Sequence, residues 1–267
     1  MTGLRKPKDL SKMVAKWSLS DISLIVITFN EEDNIGACLQ SAAGVGEMII
    51  VDSFSSDRTV EIANNFGAKV YKREFVSNAQ QKNWAIKKAQ KEWTLILDAD
   101  EMLSFGLIGE IKKELHFPRA DGYFIRRKNQ FMGREIRFCG WNNDWVLRLF
   151  RSGRGEYNNR SVHEKLLLDG KVLKLTNYMY HKSYRDISDY LDRMKKYTKR
   201  GAEELYINGK FWFPGIITHP VWRFFRMYFL QLGFLEGKRG FVLCSTAAAS
   251  VFFKYVYLVE MYMSDKE

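Results

Sequence analysis

The sequence predicts an α/β protein: a doubly wound, mostly parallel sheet with antiparallel additions and a C-terminal helical appendage. Three observations carry this reading. Ile22–Thr28, Glu47–Asp52 and Trp93–Asp98 are near-continuous apolar, β-branched runs rather than alternating ones, as expected of strands covered on both faces of a parallel sheet. Helical stretches over 32–41, 56–66 and 78–90 separate them, with a short strand at 68–71, and strand–helix–strand order implies right-handed crossovers. After about residue 120 the alternation stops, and Gly122–Phe131 with 135–138 reads as a hairpin or meander around Met132-Gly133.

From Asp186 onward Ile187, Tyr190, Leu191, Met194, Ala202 and Leu205 recur at three- and four-residue spacing, while Lys195, Lys196, Lys199 and Arg200 occupy the other side of the same helix. Pro214 and Pro220 are expected to bracket a break. Two apolar, aromatic-rich segments follow, 221–235 and 241–263, separated by Gly237-Lys-Arg-Gly240. The expected organisation is a basic N-terminal extension over 1–20, a catalytic domain over 21–183 and a helical region over 184–267.

The 267 residues hold 42 Lys+Arg against 31 Asp+Glu, a formal charge of +11, with 46% hydrophobic residues. Such a composition excludes disorder and suggests an anionic partner. The charge is unevenly placed: residues 1–120 carry 16 basic and 16 acidic side chains, residues 121–267 carry 26 and 15. Cys38, Cys139 and Cys244 are too few and scattered for a disulfide framework or a zinc site and read as buried thiols. The first twenty residues lack the apolar region of a secretory signal, so the catalytic part is expected in the cytoplasm.

In open α/β sheets, ligands bind beyond the carboxyl ends of the strands. Here those ends are polar and acidic: Thr28-Phe-Asn30-Glu31-Glu32-Asp33, Asp52-Ser53-Phe-Ser-Ser-Asp57 and Asp98-Ala-Asp100-Glu101. Three acidic exits on one edge repel one another unless a cation or a donor-rich ligand lies between them. Asp98 and Asp100, at i and i+2 past a strand, offer hard oxygen ligands for Mg²⁺ or Mn²⁺ that leave positions for phosphate oxygens.

The set Ile25-Val-Ile-Thr-Phe-Asn-Glu-Glu32, Ile49-Ile-Val-Asp-Ser-Phe-Ser-Ser-Asp-Arg-Thr59 and Ile96-Leu-Asp-Ala-Asp100, in that order and spacing, resembles the inverting family 2 glycosyltransferases with the GT-A fold, over roughly residues 20–180. Gln80-Gln-Lys-Asn-Trp84, Leu147-Arg-Leu-Phe-Arg151, Val162-His-Glu164 and the Gly-Phe-Leu-Glu-Gly run at 233–237 look like the lipopolysaccharide-core β-glucosyltransferase branch. The resemblance implies that Asn30, Glu31 and Asp52, flanked by Thr28 and Ser53, hold the uracil and ribose of a UDP-sugar. Asp98 would meet the ribose or a metal-bound water, and Asp100 would ligate a Mn²⁺ or Mg²⁺ bridging the diphosphate. Gln80, Lys82 and Asn83 would line the sugar pocket. His181 falls where many GT-A enzymes complete the metal site, with His163 as the alternative.

An inverting transfer also needs a general base. Glu164 is the first candidate and Asp144 the second, since aligning Arg148 with the family's arginine puts Asn142 rather than Asp144 on the catalytic position. The aromatic segments, with Arg223 and Arg226, suit helices lying in a membrane interface, and 241–259 approaches membrane length. Together these expectations describe a hexosyltransferase peripheral to the inner face of the cytoplasmic membrane. It would act on a lipid-linked saccharide, have a second copy of the chain as a candidate partner, and bind no nucleic acid. A nucleotidyltransferase and a basic nucleic-acid-binding protein, using Arg126, Arg127 and Lys128 with Phe124 and Phe131, are the competing readings.

Overall fold

The computed structural model describes residues 17–158, 164–184, 186–209 and 212–265. The chain divides into two compact units, Met1–Arg126 with Trp145–Met179, and Arg127–Asp144 with Tyr180–Glu267. The expected division fell instead between residues 183 and 184, which leaves 127–144 in the catalytic part.

The first unit opens with β1 (Ile22–Thr28), α1 (Glu32–Ser41), β2 (Glu47–Asp52), α2 (Thr59–Asn65), β3 (Lys69–Lys72), α3 (Asn78–Ile86) and β4 (Trp93–Asp98). It continues through β5 (Glu101–Leu103), α4 (Phe105–His116) and β6 (Gly122–Phe131). The second half of β6, from Arg127, and the short β7 (Arg134–Glu135) belong to the second unit. The chain then supplies β8 (Trp145–Arg151), β9 (Gly155–Tyr157), β10 (Leu166–Leu168) and β11 (Val172–His181). The main sheet runs β3-β2-β1-β4-β8-β6-β11-β5. β1, β2, β3 and β4 pair in parallel, and β8 turns the sheet antiparallel on both its edges.

Strands β1, β2 and β4 are apolar on both faces because both faces are covered. Leu24, Val26, Ile50, Leu95 and Leu97 pack with Ile35 and Leu39 of α1 and with Leu107, Ile111 and Leu115 of α4. The alternate residues Ile25, Ile49, Val51 and Ile96 pack with Ala79 and Ala85 of α3. Burying each such side chain contributes about 1.5–3 kcal/mol.

Two helices are shorter than their sequence pattern, each because a carboxylate captures backbone N–H groups. Asp57 accepts the Thr59 N–H at 3.0 Å and the Glu32 N–H at 3.1 Å, so α2 starts at Thr59 rather than at residue 56. Glu47 accepts the Gln90 N–H at 3.0 Å, and Ser23 Oγ accepts the Lys91 N–H at 3.0 Å, so α3 stops before reaching residue 90. Burial works to raise the Glu47 pKa, but hydrogen bonds from Lys69, Ser23 and Gln90 hold it below the ordinary carboxylate range.

The second unit holds α5 (Ile187–Ile207), α6 (Gly215–Phe225), a π-helical turn at Arg226–Leu230, a 3-10 turn at Gly233–Glu236 and α7 (Gly237–Ser264). Its core joins Phe131, Ile136 and Cys139 to Tyr190, Met227, Leu243, Cys244 and Ala247. Two expectations fail here. Pro220 lies inside α6 rather than at a break; as its sixth residue it removes one early-turn hydrogen bond, a loss the helix tolerates near its start. Gly237-Lys-Arg-Gly240 is the first turn of α7, not a linker. A Cβ on Gly240 would lie 2.0 Å from the Gly233 carbonyl oxygen, so this residue permits close backbone packing. All three cysteines are buried and unbridged, with Cys139 and Cys244 sulfurs 3.7 Å apart.

Candidate active site

The parallel register places the acidic exits side by side. Thr28 is opposite Asp52 across β1 and β2, and Ile27 is opposite Asp98 across β1 and β4. Three carboxyl-terminal strand ends therefore present one polar edge, the place where an open sheet binds its ligand. At this edge the Thr28 hydroxyl is buried with no hydrogen-bond partner among the described residues.

The β1 and β2 exits are knitted together. Asn30 adopts a left-handed backbone, φ 53°, which Asn tolerates better than most residues; its N–H donates to Ser55 Oγ at 2.8 Å and its Oδ1 accepts the Ser56 N–H at 2.9 Å. Asp52, fully buried, accepts from Ser55 Oγ at 2.5 Å and from the Ser55 N–H at 2.9 Å. A carboxylate offers about four lone-pair positions, so Ser55 leaves acceptor capacity on Asp52. Glu31 donates its N–H to Thr59 Oγ1 at 2.8 Å, and its carboxylate accepts from Asn34 at 2.8 Å.

The β4 exit is built differently, as a chain of alternating charges. Asp98 Oδ1 lies 3.0 Å from Lys82 Nζ, and the same ammonium lies 3.0 Å from Glu164 Oε1. Asp98 Oδ2 accepts from Arg148 Nη2, which also donates to Glu101 Oε1 at 2.6 Å. Glu101 Oε2 closes the turn by accepting the Asp98 N–H at 3.0 Å. The order Glu164, Lys82, Asp98, Arg148, Glu101 leaves no like charges adjacent. Glu101 is fully buried, and the Lys82 and Arg148 side chains are 5% and 4% exposed. Burial alone would raise the Asp98 pKa, but Arg148 and Lys82 hold it well below the carboxylate range. Burial likewise acts to lower Lys82, yet Asp98, Tyr157 and Glu164 raise it overall, so the ammonium stays charged.

Among the described residues no three His, Cys, Asp or Glu side chains converge as a ready metal cage. Both Asp98 oxygens already face cations, and a metal there would meet the positive charge of Lys82 and Arg148. Asp100, partly exposed in the same turn, is the carboxylate suited to ligation. One carboxylate completed by phosphate oxygens and water is a usual way to bind Mg²⁺, so this loop fits a divalent cation through Asp100.

The second unit carries its own polar cluster. Asp144 is bridged by Arg127, with Nε at 2.9 Å and Nη2 at 3.0 Å, and accepts from Asn129 Nδ2 at 2.9 Å. Because the Asn129 amide donates to Asp144, its Oδ1 must accept from His181 Nδ1, 2.6 Å away. This network assigns the His181 ring proton to Nδ1, so ligation or proton acceptance by the ring goes through Nε2. Burial acts to raise the Asp144 pKa, while hydrogen bonds from Arg127 and Asn129 bring it below the ordinary value.

Other expected residues take distinct positions. Gln80 is exposed at the start of α3, whereas Gln81 is fully buried and binds Ser53 Oγ at 3.1 Å and the Arg73 side chain. Asn83 clasps the Tyr157 backbone, donating at 2.8 Å and accepting at 2.7 Å, and so fastens α3 to β9. His163 lies outside the described residues. Sequence reasoning gave no role to Gln81 or Glu101 and used Arg148 only as an alignment landmark. A signal existed for Glu101, an extra acid directly after the aspartate pair, but none identifies which basic residue reaches it. Arg127 and Lys128, considered for nucleic acid, are paired instead with Asp144 and Glu135.

Residues 23–168 match the glycosyl transferase family 2 profile. Over 264 residues the chain is 28% identical to the uncharacterized glycosyltransferase RT0209 of Rickettsia typhi, covering 93% of this chain and 90% of that protein. Over 254 residues it is 27% identical to the lipopolysaccharide core biosynthesis glycosyltransferase LpsC of Rhizobium meliloti, covering 86% and 92%. Among solved structures, S. aureus TarS 1-349 in complex with UDP aligns over 91% of both chains at 17% identity with a TM-score of 0.48. With more than half its length inside that profile, the chain belongs to glycosyl transferase family 2 and is a glycosyltransferase.

Proposed function

We propose that the enzyme transfers a hexosyl group from a UDP-sugar to a hydroxyl of a lipid-linked saccharide of the lipopolysaccharide inner core, with inversion in a single displacement. The observation that carries this reading is the Glu164–Lys82–Asp98–Arg148–Glu101 chain at the β4 exit. It holds a charged ammonium and a candidate base against the edge where a nucleotide belongs. The relationship to LpsC supports the acceptor class.

In this reading Thr28, Asn30, Glu31, Asp52 and Ser53 hold the nucleoside, the Thr28 hydroxyl and the remaining Asp52 lone pairs supplying contacts that the described residues leave open. Asp98 and Lys82 meet the ribose and diphosphate, with the Gln80 and Asn83 turn of α3 beside them. The Lys82 charge stabilises the diphosphate as the bond from the anomeric carbon to the phosphate oxygen breaks. Glu164 accepts the acceptor hydroxyl proton as that oxygen bonds to the anomeric carbon, and UDP departs with the bonding electrons. Asp144 is the second candidate base, weakened for the task by Arg127. A Mn²⁺ or Mg²⁺ held by Asp100, with Asp98 nearby, would neutralise charge on the leaving group.

In this reading the enzyme works in the cytoplasm, peripheral to the inner face of the membrane. The helical span Gly233–Ser264 is long and apolar enough to cross a membrane by length and composition. A panel of UDP- and GDP-sugars tested for UDP or GDP release, with and without Mn²⁺, tests the donor. Absence of thermal stabilisation by UDP with Mn²⁺, together with unchanged turnover in Asp100→Ala, would overturn the proposal.

A further inference from the structure

The second unit carries an apolar face that its described residues leave uncovered. Ile217, Val221, Trp222, Phe225, Phe229 and Leu230 follow one another at helical spacing along α6 and the π turn, and each is exposed. Trp222 stacks on Phe225, and Phe225 lies against Phe229, with ring centroids 5.9 and 5.2 Å apart. The stripe is therefore continuous. The surrounding charges have one sign: residues 215–240 contain Arg223, Arg226, Lys238 and Arg239 against Glu236. Glu236 is already engaged, its Oε1 accepting the N–H groups of Arg137 and Phe138 at 2.7 and 3.0 Å.

We infer that this stripe is the surface by which the enzyme lies in the interface of an anionic bilayer, with α6 in the membrane plane and α7 not crossing it. The inference rests on the lipid-linked acceptor reading and adds the surface that would reach such an acceptor. An exposed row of Trp and Phe bordered by arginines is the chemistry of an interfacial helix. Anionic lipid complements Arg223 and Arg226, which no carboxylate pairs among the described residues, whereas a second copy of the same face would bring like charges together.

α7 is held out of a spanning role by its partner. Tyr190 of α5 meets Thr246 at 3.0 Å, and Ala202, Leu205 and Tyr206 pack with Leu258 and Tyr262. α5 thus accompanies α7 for most of its length while exposing Lys195, Lys196, Lys199, Arg200 and Glu203, charges that a hydrocarbon core would not admit.

The test is sedimentation of the full chain with phosphatidylcholine vesicles and with vesicles containing 30% phosphatidylglycerol. Binding is expected to be at least tenfold stronger to the anionic vesicles. A Trp222→Ser/Phe225→Ser/Phe229→Ser variant should lose about tenfold or more. Arg223→Glu/Arg226→Glu should lose about tenfold and the salt dependence with it. Circular dichroism confirms folding of both variants, and thermal stabilisation by UDP with Mn²⁺ should remain as in the wild type. Equal binding of wild type and the serine variant overturns the inference. So does wild type that stays in solution with both vesicles, or one that forms a dimer which the serine variant dissolves. Vesicle binding without any nucleotide effect would leave the surface standing and sink the donor reading instead.

Discussion

The two units each fasten a carboxylate to an arginine, but by different means. Asp98 sits between a buried lysine and a buried arginine, with Glu101 closing the turn behind it. Asp144 is gripped by Arg127 with both side chains partly exposed, 26% and 21%, and shares its second contact with a neutral amide. The first arrangement excludes water from both cations and makes every member depend on the others. In the second, solvent screens the pair and the geometry is directed onward, through Asn129, to one ring nitrogen of His181. A network with buried cations fixes where charge stands; the partly exposed pair aims a hydrogen bond.

The largest effect should come from breaking the buried network. Arg148→Met leaves Asp98 and Glu101 facing each other without their shared guanidinium, and should lower unfolding stability by about 3–5 kcal/mol, measured by urea denaturation. A loss below about 1 kcal/mol would mean the β4 exit is as solvent-relaxed as the Asp144 site. Turnover separates the two candidate bases: Glu164→Gln should reduce kcat by roughly 100-fold or more with the UDP-induced thermal shift retained. Asp144→Asn should reduce kcat by about tenfold or less, and the reverse ranking would move the base to the second unit.

Acid should expose the next difference. The pKa values of both Asp98 and Asp144 are depressed in the folded protein, so each contributes stability that is present above the unfolded value, about 3.9, and is lost as pH falls through the folded one. Urea midpoints should therefore drop below about pH 4, and the part of that drop owed to Asp144 should vanish in Asp144→Asn. An unchanged pH profile in that variant would detach the Arg127 pair from folding. The smallest effect is expected from Arg127→Met, about 1 kcal/mol or less, since its partner remains partly in water.

Most of the parallel half was legible because a doubly covered strand announces itself. The runs Ile22–Thr28, Glu47–Asp52 and Trp93–Asp98 coincide with β1, β2 and β4, and their acidic exits follow from strand ends in sequence alone. Helix ends were less legible where a distant carboxylate intervenes. Glu47 stops α3 across more than forty residues of chain, a contact no local propensity contains. The expected break at Pro220 failed for a related reason, since one missing hydrogen bond near a helix start is cheaply offset by packing.

The fold class, the polar edge at the β1, β2 and β4 exits, the family resemblance and the basic, aromatic character of the C-terminal third are all legible in the order of residues alone. These depend on period, composition and short motifs, which are local. That Lys82 bridges Asp98 and Glu164, that Arg148 joins Asp98 to Glu101, and that Asp144 binds Arg127 and Asn129 emerges only in the folded chain. Pairing among buried charges depends on which strands and helices become neighbours, and the free energy of a buried ion depends on that enclosure.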